Sequence, residues 1–192
     1  MRLQRWVIVG LMIAGVGVAR PSEAGLAVQS FRGHLAVGYG KLFTGSAPGG
    51  SLSIAGGIDY PLTSTLASGV DVGYHLLGSR TEVRGSLLAD VDYSLFEATA
   101  LLHWTPPWSG PVGRLSAGAG MFNARADLST SGGGIGFSDL AVGETVPGLA
   151  FGATLVSRKP SPLRLGLELS GRMALVEDET WTVGVARIAV HY

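Results

Sequence analysis

Residues Thr180–Tyr192 read TWTVGVARIAVHY. Counting back in twos from the last residue gives Tyr192, Val190, Ile188, Ala186 and Gly184, all apolar or small, while the alternate set carries His191 and Arg187. Read with a period of two, as in a strand, the stretch has one face that is apolar or small throughout and another that can take a charge. The stretch holds no helix cap and no Asn-Gly turn, and the sequence stops on an aromatic residue. A last strand that pairs with the first in a closed barrel leaves no open edge, so the expected architecture is a barrel.

The same period runs back through the chain. Leu163, Leu165, Leu167, Leu169 and Met173 alternate with Arg164, Gly166, Glu168, Ser170 and Arg172. Leu149, Phe151, Ala153 and Leu155 alternate with Ala150, Gly152, Thr154 and Val156, and Leu115–Met121 alternates with Arg114–Gly120. Phe96–Trp104, Leu66–Leu76, Leu52–Tyr60 and Leu35–Tyr39 complete a count of eight. Connections alternate as well. Pro61–Ser64, Pro106–Pro111 and Lys159–Pro162 are short, whereas Gly78–Asp90 and Ala126–Val146 show no strand pattern and are expected to be long loops. Aromatics gather near strand ends: Tyr60, Trp104, Trp108 and Tyr192 toward the short turns, Tyr39, Tyr74, Phe96, Phe151 and Trp181 toward the long loops. Short turns at one end, longer loops at the other and two aromatic girdles describe an eight-stranded antiparallel up-and-down transmembrane β-barrel.

Composition agrees. The chain has 192 residues, of which 46% are hydrophobic and only 15% charged, yet past the N-terminus no apolar run reaches the length of a membrane helix. Thirty glycines suit a narrow barrel interior. Arg2 and Arg5, the apolar stretch Trp6–Val18 and Ser22-Glu23-Ala24 form a signal-peptide pattern over 1–24, leaving 25–192 as the barrel. Its removal takes three arginines and one glutamate from fourteen charges of each sign, leaving 11 positive and 13 negative, with no basic surplus for nucleic acid. Cysteine is absent, which excludes disulfides, thiol nucleophiles and a lipid-modified N-terminal cysteine. A soluble barrel of lipocalin type would turn its apolar face inward; here the polar face is rich in Gly, Ala and Ser, which pack an interior better than they make a solvated exterior.

The strand rhythm from Gly33 to Tyr192 and the terminal aromatic resemble the small eight-stranded outer-membrane β-barrel family, which includes OmpA-like transmembrane domains and OmpX-like and OmpW-like proteins. In that family the C-terminal strand is read by the barrel assembly machinery through a terminal Phe; here the residue is Tyr192. The resemblance implies residence in the outer membrane of a Gram-negative envelope, contact with its lipids and lipopolysaccharide, and a monomer. Its members range over adhesins, anchors, small-molecule transfer proteins and lipid-modifying enzymes.

The inward face carries Asp59, Asp71, Glu97, Arg114, Glu168, Arg172 and Arg187. Charges inside so narrow a barrel must pair. Glu168 and Arg187 are expected opposite each other, with Asp71, Glu97 and Arg172 joining them. A salt-bridge plug is favoured over a gated pore or a catalytic dyad, since eight strands leave room only for side chains. The four histidines His34, His75, His103 and His191 form no spaced metal motif. His75 shares a face with Asp71 and would suit proton transfer, but no serine beside a histidine stands out for acyl chemistry. Gly118-x-Gly120 and the Gly132–Gly136 run lack the features of a phosphate loop. The expectation is a non-enzymatic barrel without cofactor or metal, closed to solutes, with a structural or surface-interaction role carried by its loops. The alternatives are a lipid A acyl-chain enzyme or a transfer barrel for small hydrophobic molecules.

Overall fold

A computed structural model describes residues 31–44, 49–84, 87–107, 112–131, 137–156, 163–177 and 180–192. The signal-peptide stretch 1–24 and Trp108 lie outside them. Eight strands, β1 (Arg32–Leu42), β2 (Ser51–Pro61), β3 (Leu66–Arg84), β4 (Leu87–Trp104), β5 (Val112–Ser131), β6 (Phe137–Val156), β7 (Arg164–Leu175) and β8 (Thr180–His191), close into one antiparallel barrel in chain order. Closure runs through β1, in which Tyr39 opposes Leu52 of β2 on one side and Ala186 of β8 on the other.

Alternation places the apolar set outside. Leu35, Val37, Ile54, Ile58, Val70, Val72, Leu165, Leu167, Leu169 and Ile188 are all exposed. An apolar surface this continuous has no place in water. In hydrocarbon each such side chain contributes about 1.5–3 kcal/mol. Outer-face aromatics fill the gaps left by glycines on neighbouring strands: a Cβ added at Gly33, Gly50, Gly171 or Gly184 would strike Tyr192, Tyr39, Phe151 or Phe43 respectively. Aromatic cover of a cross-strand glycine restores packing that the bare backbone lacks.

At the short-turn end the β2–β3 connection is held by Thr63, whose hydroxyl oxygen accepts from Thr65 N at 3.2 Å and Leu66 N at 3.0 Å. At the opposite end the expected loops Gly78–Asp90 and Ala126–Val146 are mostly strand instead. Pairing continues from Ser79↔Asp92 to Arg84↔Leu87, and from Asn123↔Thr145 to Leu128↔Leu140. Strands β3 to β6 therefore run to 19, 18, 20 and 20 residues, against 11 or 12 for the others. Along these hairpins the apolar–polar alternation of the sequence vanishes while the hydrogen-bond ladder persists. The transition in β3 is a bulge between Leu76 and Ser79, with Gly78 at φ +88° against the backbone of Gly49. Pro147 lies within β6, next to the residue where pairing to β7 begins at Gly148↔Ala174. There its missing N–H removes no ladder bond on the β7 side.

Candidate functional site

The lumen is the place where this sequence concentrates chemistry, and the character of its side chains divides it into three levels. The middle level is a continuous ionic chain. Glu168 and Arg187 oppose each other on β7 and β8, and Arg187 Nη2 donates to Glu168 Oε1 at 2.6 Å. Arg172, four residues along β7, places Nη2 3.9 Å from Glu168 and sends Nε across the barrel to Glu97 Oε2 of β4 at 2.5 Å. Glu97 Oε1 lies 3.2 Å from His75 Nε2, and His75 Nδ1 lies 2.9 Å from Ser53 Oγ. Gly73 leaves the space that Glu97 occupies, since a Cβ there would meet its carboxylate. Arg172 can reach from β7 to β4 because an eight-stranded barrel is only side-chain wide.

The level toward the short turns is built of histidines and aspartates. Asp59 Oδ2 receives Arg114 Nη2 at 2.7 Å, and its Oδ1 lies 3.0 Å from His103 Nε2. His34 Nε2 stands 3.6 Å from Asp71 Oδ2, with the His191 ring 5.6 Å from the His34 ring. A cleft of about 260 Å³, lined by Asp59, His103, Arg114, Arg164 and His191, opens this level to the outside. A void of about 20 Å³ separates it from the ionic chain, on the order of one water molecule.

The level toward the long hairpins is apolar. Leu42, Leu77, Leu95, Phe122, Val146, Val183 and Val185 pack together with Tyr93 and Trp181 against them. Trp181 meets Tyr93 edge-on at 5.8 Å. It thus belongs to this inner cap and not to the girdle in which the sequence reading put it: it shares the parity of the buried Val183, Val185 and Arg187. Tyr39, Tyr60, Tyr74, Trp104 and Tyr192 are exposed on the outer face.

The ionic residues expected in one network divide between two. Glu97, Glu168, Arg172 and Arg187 share the chain; Asp71 and Arg114 belong to the lower level with Asp59. His75 and Asp71 share a face without pairing: Ser53 Oγ bonds His75 Nδ1, and the carboxylate nearest its Nε2 is that of Glu97, not Asp71. The serine absent from the sequence reading is Ser53, found one strand away, where Ser53 opposes His75 in the β2–β3 register. No spacing along the chain signals this contact; only the register does. Ser53, His75 and Glu97 hold the groups of a serine–histidine–acid triad, but all are fully buried and Glu97 is also held by Arg172. Among groups able to hold a metal, His34, Asp59 and Asp71 bring ligand atoms within 4.8 Å of one another.

No family model matches the chain, and no curated protein matches it by sequence. Solved structures do match. Neisserial surface protein A shares 15% identity over 84% of this chain and 95% of its own, with a TM-score of 0.59. Ail, the attachment invasion locus protein of Yersinia pestis, in complex with the heparin analogue sucrose octasulfate, shares 14% identity over 84% of this chain and 99% of its own, with a TM-score of 0.55. The fold is that of the small eight-stranded outer-membrane β-barrels.

Proposed function

We propose that this chain is a monomeric outer-membrane barrel, closed to solutes and without catalytic activity, that serves envelope structure or surface interaction through its β3–β4 and β5–β6 hairpins. One observation carries the reading: four adjacent strands run to 18–20 residues against 11 or 12 for the rest, and raise a polar wall beyond the apolar belt. Its outer face bears Asn123 bonded to Thr145 and Arg125 bonded to Asp127, groups that belong in water. Loops and strand extensions on a rigid scaffold are where such barrels bind. Two proteins that share the fold are, by their names, a surface protein and an attachment protein, which supports the same direction. In this reading the short turns face the periplasm, residues 1–24 are removed on export, the outer belt contacts lipids and lipopolysaccharide, and β8 with Tyr192 is what the assembly machinery engages.

Because the chain has no cysteine, a single introduced one is a unique probe. Ser129→Cys should react with a membrane-impermeant maleimide on intact cells, and Ser64→Cys only after the envelope is opened. Recovery of the protein in the soluble periplasm would sink the reading. Replacing 129–138 by a short turn should leave the barrel folded and abolish whatever cell-surface adhesion the intact protein confers; unchanged adhesion would remove this hairpin from the proposal.

A second reading, an acyl-chain hydrolase, has the Ser53–His75–Glu97 grouping behind it. Against it, a nucleophile needs a path to its substrate, and Ser53 is fully buried at the end of the ionic chain. A fluorophosphonate probe on the folded barrel and mass spectrometry of lipid A discriminate. Labelling that disappears in Ser53→Ala, with an acyl chain lost from lipid A, would favour the enzyme.

A further inference from the structure

Salt bridging leaves part of the lower lumen unexplained. His34, Asp59 and Asp71 come from β1, β2 and β3, and all three are buried. The register places His34 opposite Gly57, and Gly57 opposite Asp71. A Cβ at Gly57 would run into Asp71 Oδ1 and His34 Cε1, and one at Gly69 into Asp59 Oδ1 and His103 Nε2. Two missing side chains thus make the space in which these groups converge.

Hydrogen bonding does not use up their atoms. Asp71 Oδ1, Asp59 Oδ1, His34 Nδ1 and both ring nitrogens of His103 have no hydrogen-bond partner among the described residues. His103 Nε2 and Asp59 Oδ1 are 3.0 Å apart with neither engaged in a hydrogen bond, and His34 Nε2 and Asp71 Oδ2 stand 3.6 Å apart, beyond good hydrogen-bond reach. The His34–Asp71 spacing fits two ligands of one tetrahedral ion, whose bonds of about 2.0–2.1 Å put neighbouring ligand atoms about 3.3 Å apart. Charge points the same way. In the described ion pairs of the lumen, Asp59, Asp71, Glu97 and Glu168 face Arg114, Arg172 and Arg187, and Asp71 is the carboxylate whose pair contains no arginine. Arg114 holds Asp59 through Oδ2 and leaves Oδ1 toward the cluster, the kind of outer-shell contact that orients a ligating carboxylate. The cleft at the short-turn end is lined by Asp59 and His103 and supplies an entry path.

We propose that His34, Asp59 and Asp71, with His103 beside them, bind one divalent transition-metal ion of the zinc class, admitted from the short-turn end. Mixed imidazole and carboxylate ligation selects such an ion over calcium or magnesium, which take oxygen cages. Bound there, the ion ties together the three strands next to the closure of the barrel and stabilises the folded state by mass action.

The test uses the full barrel refolded in detergent micelles, incubated with Zn²⁺ or Ca²⁺, desalted, and read by elemental mass spectrometry. The wild-type protein should retain one zinc per chain and calcium only at background. Asp71→Asn and His34→Gln should weaken zinc binding roughly tenfold or more, at least the loss that follows removal of an outer-shell partner. Glu168→Gln, in the same lumen but outside the cluster, should retain it. Heat-modifiable electrophoretic mobility identifies folded protein in every sample. Where one variant does not fold, the other and a zinc-dependent rise in wild-type melting temperature carry the result. Background zinc in folded wild-type protein, equal retention of zinc and calcium, or undiminished zinc in a folded His34→Gln or Asp71→Asn overturns the proposal.

Discussion

Glu168 and Arg187 are the pair most readily read from the chain, because counting in twos from Tyr192 and from Leu163 fixes their parity and a tight turn fixes their register. Their geometry makes a definite prediction. Arg187 is almost wholly buried and bonded to Glu168 at 2.6 Å. Arg187→Met leaves the carboxylate beside only the distant end of Arg172, and should destabilise the barrel by about 3–5 kcal/mol in urea unfolding from micelles. Glu168→Gln combined with Arg187→Met removes both charges and should recover most of that loss. A double variant no more stable than the single one would mean that Arg187 acts through packing alone. Asp59–Arg114 was harder to read. The two residues sit on β2 and β5, with two strands between them in the sheet, and meet only because the sheet curls. The histidines were illegible for the same reason: each is a lone residue on its strand, and its partner is chosen by register and curvature.

Hairpin length is a property of elements, and here periodicity misleads. Alternation reports contact with two different phases, so it marks the strands only where lipid lies on one side and the packed lumen on the other. Above that level Ser79–Arg84 pairs with Leu87–Asp92 without any such contrast, and a stretch that is strand reads as loop. The boundary is marked by Gly78, whose φ of +88° favours glycine and whose Cβ would strike the Gly49 carbonyl. Gly78→Val should therefore cost about 1–3 kcal/mol of stability. Gly49→Ala is the control: nothing lies within 4 Å of its added Cβ, so its effect should stay within about 0.5 kcal/mol. Equal effects in urea titrations of the two variants would show that the bulge stores no conformational constraint.

For the whole molecule, the inward parity of all eight strands follows from the sequence because a lipid-facing strand must declare its apolar side; what fills the interior does not follow so simply. Phe122, Leu95, Leu77 and Val183 cap the lumen on the long-hairpin side, and the chain from Arg187 to Ser53 closes it below. The two layers lie in series above the histidine–aspartate level, which the cleft at the short-turn end opens to the outside, so ions must pass both. Eight strands leave a bore that side chains fill, and the intact protein should show no steady conductance steps in planar bilayers. Phe122→Ala opens the apolar cap alone and should stay silent, since the Glu97–Arg172 bridge still spans the lumen at 2.5 Å. Arg172→Ala opens the ionic layer alone and should also stay silent behind the cap. Only the combined variant, confirmed as folded by its heat-modifiable mobility, should pass ions. Conductance in the wild type would refute the closed lumen outright, and conductance in either folded single variant would show that its remaining layer is no barrier.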